Sequence, residues 1–222
     1  MRTLVIIPAA GSGSRFGSEI PKQFLPLAGK PLLLHSVERF FLDERVDQVV
    51  VAVAEALLAN VKQTDRARFV AGGATRQQSV MRALEAAGDG FDVVAIHDAV
   101  RPFFSMVRFH ELLDAANEHG GAIPALPVSD TIHVVRDGRV VSTPDREGLM
   151  AAQTPQCFLH GVLRDILERA SRDGIDGTDE AGLAAHYGYP VQVLIGDALN
   201  FKITHPDDMV RAEQYLSQLA EQ

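Results

Sequence analysis

At 222 residues, with 46% hydrophobic and 23% charged residues, the chain has the make-up of one ordinary globular domain and excludes a disordered or fibrous one. A formal net charge of -8 argues against a general nucleic-acid-binding face and makes any local cluster of Arg and Lys notable. The single cysteine, Cys157, excludes an internal disulfide and a cysteine zinc site; no apolar run nears the ~18 residues of a membrane span, so the expected setting is cytoplasmic.

In chain order, the apolar run Leu4-Val5-Ile6-Ile7 makes residues 3–7 a buried strand that ends at Pro8. It passes into the small-residue segment Ala9-Ala10-Gly11-Ser12-Gly13-Ser14-Arg15-Phe16-Gly17. Residues 31–41 carry Leu32, Leu33, Ser36, Val37 and Phe40 at spacings of three and four, the period of an amphipathic helix. Further β-branched segments at 46–53, 68–71 and 93–97 read as strands. Thr75 can cap a helix with Val80, Met81, Leu84 and Ala87 on one stripe, stopped by Gly88. A third helix over 105–119 ends at Gly120-Gly121. This alternation predicts a mostly parallel twisted sheet with helices on both faces, in a single Rossmann-like α/β domain over residues 1–222. Ligands of such sheets bind beyond the carboxyl ends of the strands, so the loops after Ile7, Ala71 and His97 are expected to share one rim.

The rhythm breaks at Pro127. Residues 131–135 and 139–143 read as two short strands around Arg136-Asp137-Gly138, because Asp-Gly suits a tight hairpin turn. An isolated hairpin is marginal in water, and Ile132, Val134, Val135, Val140 and Val141 need cover from this subunit or from another. Residues 129–150 therefore read as a protruding β-arm, and a homodimer formed through it is the expectation. Beyond it, 151–158 and 191–195 read as strands and 161–170, 179–187 and 205–219 as helices, with Thr178 and Thr204 as N-terminal caps.

The chemistry starts at the first loop. Small residues after a strand let main-chain N–H groups approach phosphates. No Gly-Lys-Ser/Thr closes the loop, so it is not a Walker loop; Gly17 stands four residues after Gly13, so it is not the dinucleotide fingerprint either. Two cations follow, Arg15 and then Lys22 in Pro21-Lys22-Gln23-Phe24. A triphosphate attacked at its α-phosphorus needs fixed cations, because charge grows on the non-bridging oxygens and the departing pyrophosphate. The alternative is a pair of solvated loop residues.

Seven motifs in order carry a resemblance along nearly the whole chain. They are the loop 9–17 with Pro21-Lys22-Gln23-Phe24, then Gly72-Gly73-x-x-Arg76-x-x-Ser79-Val80, His97-Asp98-Ala99-Val100-Arg101-Pro102, Asp130-Thr131 with Asp145-Arg146, Thr154-Pro155-Gln156, Thr178-Asp179-Glu180 and Asn200-Phe201-Lys202-Ile203-Thr204. Together they resemble the cytidylyltransferases that act on polyol phosphates, most of all the branch taking 2-C-methyl-D-erythritol 4-phosphate, with ribitol 5-phosphate as the alternative acceptor. The resemblance implies that Pro8, Ala9, Ala10, Gly11, Ser12 and Gly13, with Arg15 and Lys22, hold CTP, and that Gly73 and Ser79 help recognise the cytosine. Asp98, with Ala99, would stand beside the ribose, the phosphates and a Mg²⁺ ion, a hard cation suited to one or two carboxylates plus substrate phosphates. The alternative for Asp98 is a structural pair with Arg101, and for Ser79 a plain polar position in a helix. Arg101, Thr131, Thr154 and Thr178 would line the polyol phosphate; unaided, Thr178 reads better as a cap. Arg146 from the partner subunit's arm and Lys202 would clamp the acceptor phosphate. Asp197 is the nearest acidic residue upstream of Lys202.

Other classes fit less well. The eight histidines form no His-x-x-x-His or Glu-x-x-x-His cluster for zinc, and no Gly-x-Ser-x-Gly elbow marks a hydrolase. A nucleotide-binding module without turnover would not need so many phosphate-directed cations, and a dehydrogenase would need a different loop spacing. Partners are thus expected to be CTP and a polyol phosphate, with no nucleic acid and no membrane.

Overall fold

Strand β1 (Thr3–Ala9) points Leu4 and Ile6 to one layer and Val5 and Ile7 to the other, all four with no solvent exposure. Side chains alternate along a strand, so an unbroken apolar run is stable only when both faces of the sheet are covered. The rest of the chain supplies that cover. The computed structural model describes residues 1–11, 20–60 and 67–220.

After β1 come a small hairpin of β2 (Pro26–Leu27) and β3 (Lys30–Pro31), then α1 (Leu32–Phe41), β4 (Gln48–Val53), β5 (Ala67–Ala71), α2 (Arg76–Ala87), β6 (Val93–Ile96) and α3 (Met106–His119). The second half holds β7 (Gly121–Pro127), a hairpin of β8 (Val134–Arg136) and β9 (Arg139–Ser142), then β10 (Met150–Ala152), β11 (Gln156–Leu159), α4 (His160–Asp173), α5 (Glu180–His186), β12 (Gln192–Ile195) and α6 (Pro206–Ala220). Among the described residues all strands but the two hairpin pairs build one eight-stranded sheet. β6, β1, β4 and β5 lie side by side and parallel. β11 runs antiparallel between β6 and β7, β10 continues along the same edge of β7, and β12 lies parallel on its other edge. Helices α1 and α3 pack on one face with Val5, Val49, Val51 and Val93. Helices α2, α4 and α5 pack on the other with Leu4, Ile6, Val50 and Ile96. Among the described residues no helix is long and apolar enough to cross a membrane.

The expected elements are present, with three corrections. Strand β7, at the middle of the sheet's second half, was not foreseen, because Gly121, Pro124 and Pro127 mask an otherwise buried apolar segment. The single strand expected over 151–158 is two, broken at Gln153-Thr154-Pro155, where the Thr154–Pro155 peptide is cis. The caps also differ. Thr75 and Ser105 cap α2 and α3 through Gln78 N and Arg108 N, at 3.2 and 3.3 Å. At α5, however, Asp179 rather than Thr178 accepts from Gly182 N at 2.9 Å, because the path of the chain makes Asp179 the residue just before the helix. At α6 the Asp208 carboxylate receives the N–H groups of Thr204 and His205, both at 2.8 Å, while the Thr204 hydroxyl turns back to the Lys202 carbonyl.

Cys157 lies on β11 with no exposure, and burial pushes its thiol far above the ordinary range. The native protein is expected to be inert to Ellman's reagent and to release one equivalent of thionitrobenzoate only after unfolding in denaturant.

Candidate active site

Strand order turns at β1, with β4 and β5 on one side and β6 on the other, and a cavity of 450 Å³ opens at the carboxyl ends of these strands. The loop after β1 contributes Pro8, Ala9, Ala10 and Gly11; the loop after β5 contributes Gly73, Ala74, Thr75 and Arg76, with Ser79 behind them. Asp98, Ala99 and Val100 come from the loop after β6, and Lys22, Gln23 and Lys202 complete the wall. The three loops foreseen from the sequence do share one rim. Ser12, Gly13 and Arg15 lie outside the described residues.

Side chains that the motifs contain, but whose roles spacing alone does not reveal, shape the two loops. The buried Gln23 amide donates to the carbonyls of Ala9 and Gly11 at 2.7 and 2.8 Å, which pins the start of the glycine-rich loop. Gly72 leaves room for that loop, as a Cβ there would lie 2.3 Å from the Cβ of Ala10. Ser79 Oγ accepts from Gly73 N at 3.0 Å and donates to the Thr75 carbonyl at 2.9 Å, so its hydroxyl holds the second loop on the first turn of α2.

Asp98 sits at the centre of a cationic cluster. Its Oδ2 is 2.9 Å from Lys202 Nζ and 3.3 Å from Arg101 Nε, and its Oδ1 is 3.7 Å from Arg76 Nε. Burial alone would push the carboxyl up, but Lys202, Arg76 and Arg101 together outweigh it and hold it well below the usual carboxylate range. Asp98 both pairs with Arg101 and lines the cavity. A third cluster of buried side chains seats the Lys202 segment. Ile203 packs with Leu27, Leu32, Val100 and Phe103, its N–H donates to the Val100 carbonyl at 3.0 Å, and its carbonyl accepts from Lys22 Nζ at 3.1 Å.

Behind Asp98 stand His97, Thr154 and Asn200. The fully buried His97 ring, edge-on to Phe40 and tilted against Phe104, has Nε2 2.9 Å from the Arg101 carbonyl and Nδ1 3.1 Å from Thr154 Oγ1. A carbonyl only accepts, so Nε2 carries the proton and the Thr154 hydroxyl donates to Nδ1. The same oxygen accepts the Asp98 N–H at 3.0 Å. Asn200 Nδ2 donates to the Thr154 carbonyl at 2.8 Å, and Arg101 Nη1 donates to the Asn200 carbonyl at 2.7 Å. Thr154 therefore positions Asp98 from behind.

Burial, the largest influence, lowers the His97 pKa to about 3 against the pull of Asp98. The folded-state pKa is depressed, so the unfolded chain binds more protons between about 6.5 and that value. His97 thus contributes stability that is complete above pH ~6.5 and is lost as pH falls toward 3. Urea titrations between pH 7 and 4.5 are expected to show stability falling by up to about 1.4 kcal/mol per pH unit from this group. His160, lowered by burial and then by Arg164, adds to the same limb. The slope should be shallower in His97→Gln; an unchanged slope would place its origin elsewhere.

The remaining residues named from the sequence stand apart from the cavity in a single subunit. Thr178 is exposed at the head of α5. Thr131 and Arg146 are exposed on the arm, with Arg146 Nη1 donating to the Ser129 carbonyl at 2.6 Å. The Asp197 carboxylate accepts from Leu199 N at 2.8 Å in a local turn, away from the cavity wall. The arm turns at Asp137 and Gly138, both at positive φ, as Asp-Gly predicts. Its apolar side chains stay open, Val140 at 59% exposure, and the outer strand β12 exposes Ile195 at 57%.

A small-residue loop and fixed cations at the carboxyl ends of a largely parallel sheet define an α/β nucleotidyltransferase. Residues 3–218 match the family described as IspD: 2-C-methyl-D-erythritol 4-phosphate cytidylyltransferase. The chain is 42% identical over 226 residues to the curated 2-C-methyl-D-erythritol 4-phosphate cytidylyltransferase of Geotalea uraniireducens, with 97% of each chain covered. It is 46% identical over 224 residues to the one of Symbiobacterium thermophilum, covering 98% of this chain and 94% of that one. Among solved structures it is similar to the enzyme of that name from Thermus thermophilus, with a TM-score of 0.83, 38% identity and 98% and 100% of the two chains covered. For the Francisella tularensis enzyme the TM-score is 0.87 at 30% identity, covering 96% of this chain and 99% of that one. The chain belongs to the 2-C-methyl-D-erythritol 4-phosphate cytidylyltransferase family.

Proposed function

We propose that the protein transfers the cytidylyl group of CTP to 2-C-methyl-D-erythritol 4-phosphate, giving 4-diphosphocytidyl-2-C-methyl-D-erythritol and pyrophosphate in non-mevalonate isoprenoid precursor synthesis. The observation that carries this reading is the near full-length family match joined to a cavity with Lys22, Arg76, Asp98 and Lys202 in its wall. An oxygen of the acceptor phosphate attacks the α-phosphorus of CTP, that P–O bond forms, and the bond to the bridging oxygen of the β-phosphate breaks. The acceptor is already mostly dianionic at neutral pH, its second pKa being about 6, so no general base is needed.

Catalysis in this reading is positioning and charge neutralisation. The loop Pro8–Gly13 with Arg15 and Lys22 cradles the triphosphate, Gly73 and Ser79 meet the base, and Asp98 and Ala99 flank the ribose. Lys202 and Arg101, with Thr154 behind them, face the acceptor, joined by Thr131, Thr178 and Arg146. The ionised Asp98 carboxylate, open to the cavity, is the donor type a hard divalent cation takes alongside phosphates. Asp98 would hold Mg²⁺, which when bound offsets the negative charge of the triphosphate.

Arg146 and Thr131 cannot serve a cavity they do not line, so the reading includes a homodimer in which each arm, residues 129–150, reaches the partner's site. The open apolar side chains of the arm and of β12 support it, since such surface asks for cover. A cytoplasmic setting, where CTP is made, belongs to the same reading.

The test is pyrophosphate release from CTP and Mg²⁺ with methylerythritol phosphate and ribitol 5-phosphate offered in parallel. Turnover with methylerythritol phosphate is the expected result. Turnover confined to ribitol 5-phosphate would overturn the acceptor, and silence with both would overturn the transfer.

A further inference from the structure

Glu180 is a carboxylate with 1% exposure at the head of α5, and among the described residues its side chain bonds to Arg76 of the cavity wall. Both of its oxygens lie on Arg76 Nη1, at 2.7 and 2.9 Å. The other edge of the same guanidinium faces Asp98, but Nε stands 3.7 Å from Oδ1, beyond hydrogen-bonding distance. Among the described residues Asp98 Oδ2 is shared by Lys202 and Arg101, whereas Oδ1 has no hydrogen-bond donor and opens to the cavity. One guanidinium is thus divided unequally between two carboxylates, close to Glu180 and distant from Asp98.

The segment that carries Glu180 is fastened so that this division cannot relax. The Gln77 side chain donates to the Ile175 carbonyl at 3.0 Å and accepts from Gly177 N at 2.8 Å. The Gln156 side chain donates to Asp179 Oδ2 at 2.9 Å and accepts from Ala181 N at 3.1 Å. Two glutamines that do not line this cavity therefore fix Glu180 against α2 and β11.

We infer that Glu180 is a positioning residue: it holds the Arg76 guanidinium back from Asp98 and keeps Asp98 Oδ1 open for a divalent cation. The inference rests on the proposed reading of Asp98 as the cation's carboxylate. With Glu180 neutral, Asp98 is the nearest carboxylate left to Arg76. The guanidinium needs to move by less than the length of one bond to close on Oδ1, and charge-assisted bonds of this kind are strong where water is scarce. Oδ1 would then be covered by an arginine that does not leave.

Mn²⁺ bound in the presence of saturating CTP, read from its electron paramagnetic resonance signal, tests this without reference to turnover. Glu180→Gln is expected to weaken Mn²⁺ binding by roughly 10- to 100-fold, the usual range for a residue that orients a ligand it does not share. Glu180→Asp keeps the charge and should stay near wild type. The double variant Arg76→Gln with Glu180→Gln has neither the buried charge nor the arginine, and it should fold and recover most of the lost affinity. A Glu180 that only balances the Arg76 charge would lower the melting temperature of Glu180→Gln yet leave Mn²⁺ affinity near wild type at temperatures where the variant is folded. Wild-type affinity in Glu180→Gln, or no recovery in the double variant, would overturn the inference. If the wild-type protein adds nothing to the Mn²⁺ held by CTP alone, the assignment of Asp98 to the cation fails, and this inference falls with it.

Discussion

Lys22→Ala is expected to lower kcat by roughly 10²- to 10³-fold while the protein stays folded, the loss typical of removing one fixed group aimed at developing charge. Lys22 lies in a short 3-10 turn, Lys22–Phe24, at the mouth of the cavity, with Nζ donating to the Ile203 carbonyl at 3.1 Å. That contact sets the ammonium between the glycine-rich loop and the Lys202 segment, where the departing pyrophosphate gains charge in the proposed reaction. An interaction that strengthens in the transition state lowers kcat when removed, and one of equal strength throughout raises only KM. A single hydrogen bond to a carbonyl contributes on the order of 1 kcal/mol, so the melting temperature should move by only a few degrees. Single-turnover pyrophosphate release separates the cases. A normal rate with a raised KM would make Lys22 a binding group; a normal rate and a normal KM would remove it from the mechanism.

Arg146→Ala should be nearly as damaging, and its defect should be rescued in trans by Lys22→Ala. Arg146 is exposed on the arm and contacts Ser129 of its own chain, so a role at the cavity requires the partner's arm. In a mixed dimer one site combines an intact Lys22 with an intact Arg146, and the other carries both defects. Random reassortment makes about half the dimers mixed, so a one-to-one mixture of the two inactive variants should regain about a quarter of wild-type activity. No regain after confirmed subunit exchange would place each arm at its own site or outside the reaction. Sedimentation of the wild-type protein as a monomer at micromolar concentration would remove the dimer altogether.

The parts of the fold that were legible share one feature: their residues repeat with the period of the element they form. Leu4 to Ile7, the stripe of α1 and the Thr75–Gly88 boundaries of α2 can be read from spacing because burial on two faces, burial on one face and capping each impose a local pattern. Strand β7 escaped because Gly121, Pro124 and Pro127 are turn residues by local chemistry, and only strands on both of its edges make them a strand. The cap at α5 escaped for a narrower reason: Thr178 and Asp179 are both good caps, and the path of the chain chooses between them.

The candidate site divides in the same way. The motifs by themselves pointed to a small-residue loop after the first strand, to Lys22 and Lys202, and to Asp98 just past a strand end, since each is a residue type at a place the chain's own order defines. They also determined the hairpin arm, through Asp137-Gly138. Only the tertiary structure decided which charges meet. Asp98, Arg76, Glu180 and Lys202 are up to 126 positions apart between Arg76 and Lys202, yet they form one connected cluster. The same holds for the hydroxyl of Thr154, which supports Asp98 from behind rather than opening to the cavity. Ion pairs depend on separations of a few ångströms between side chains from different elements, and no period within a single element records them.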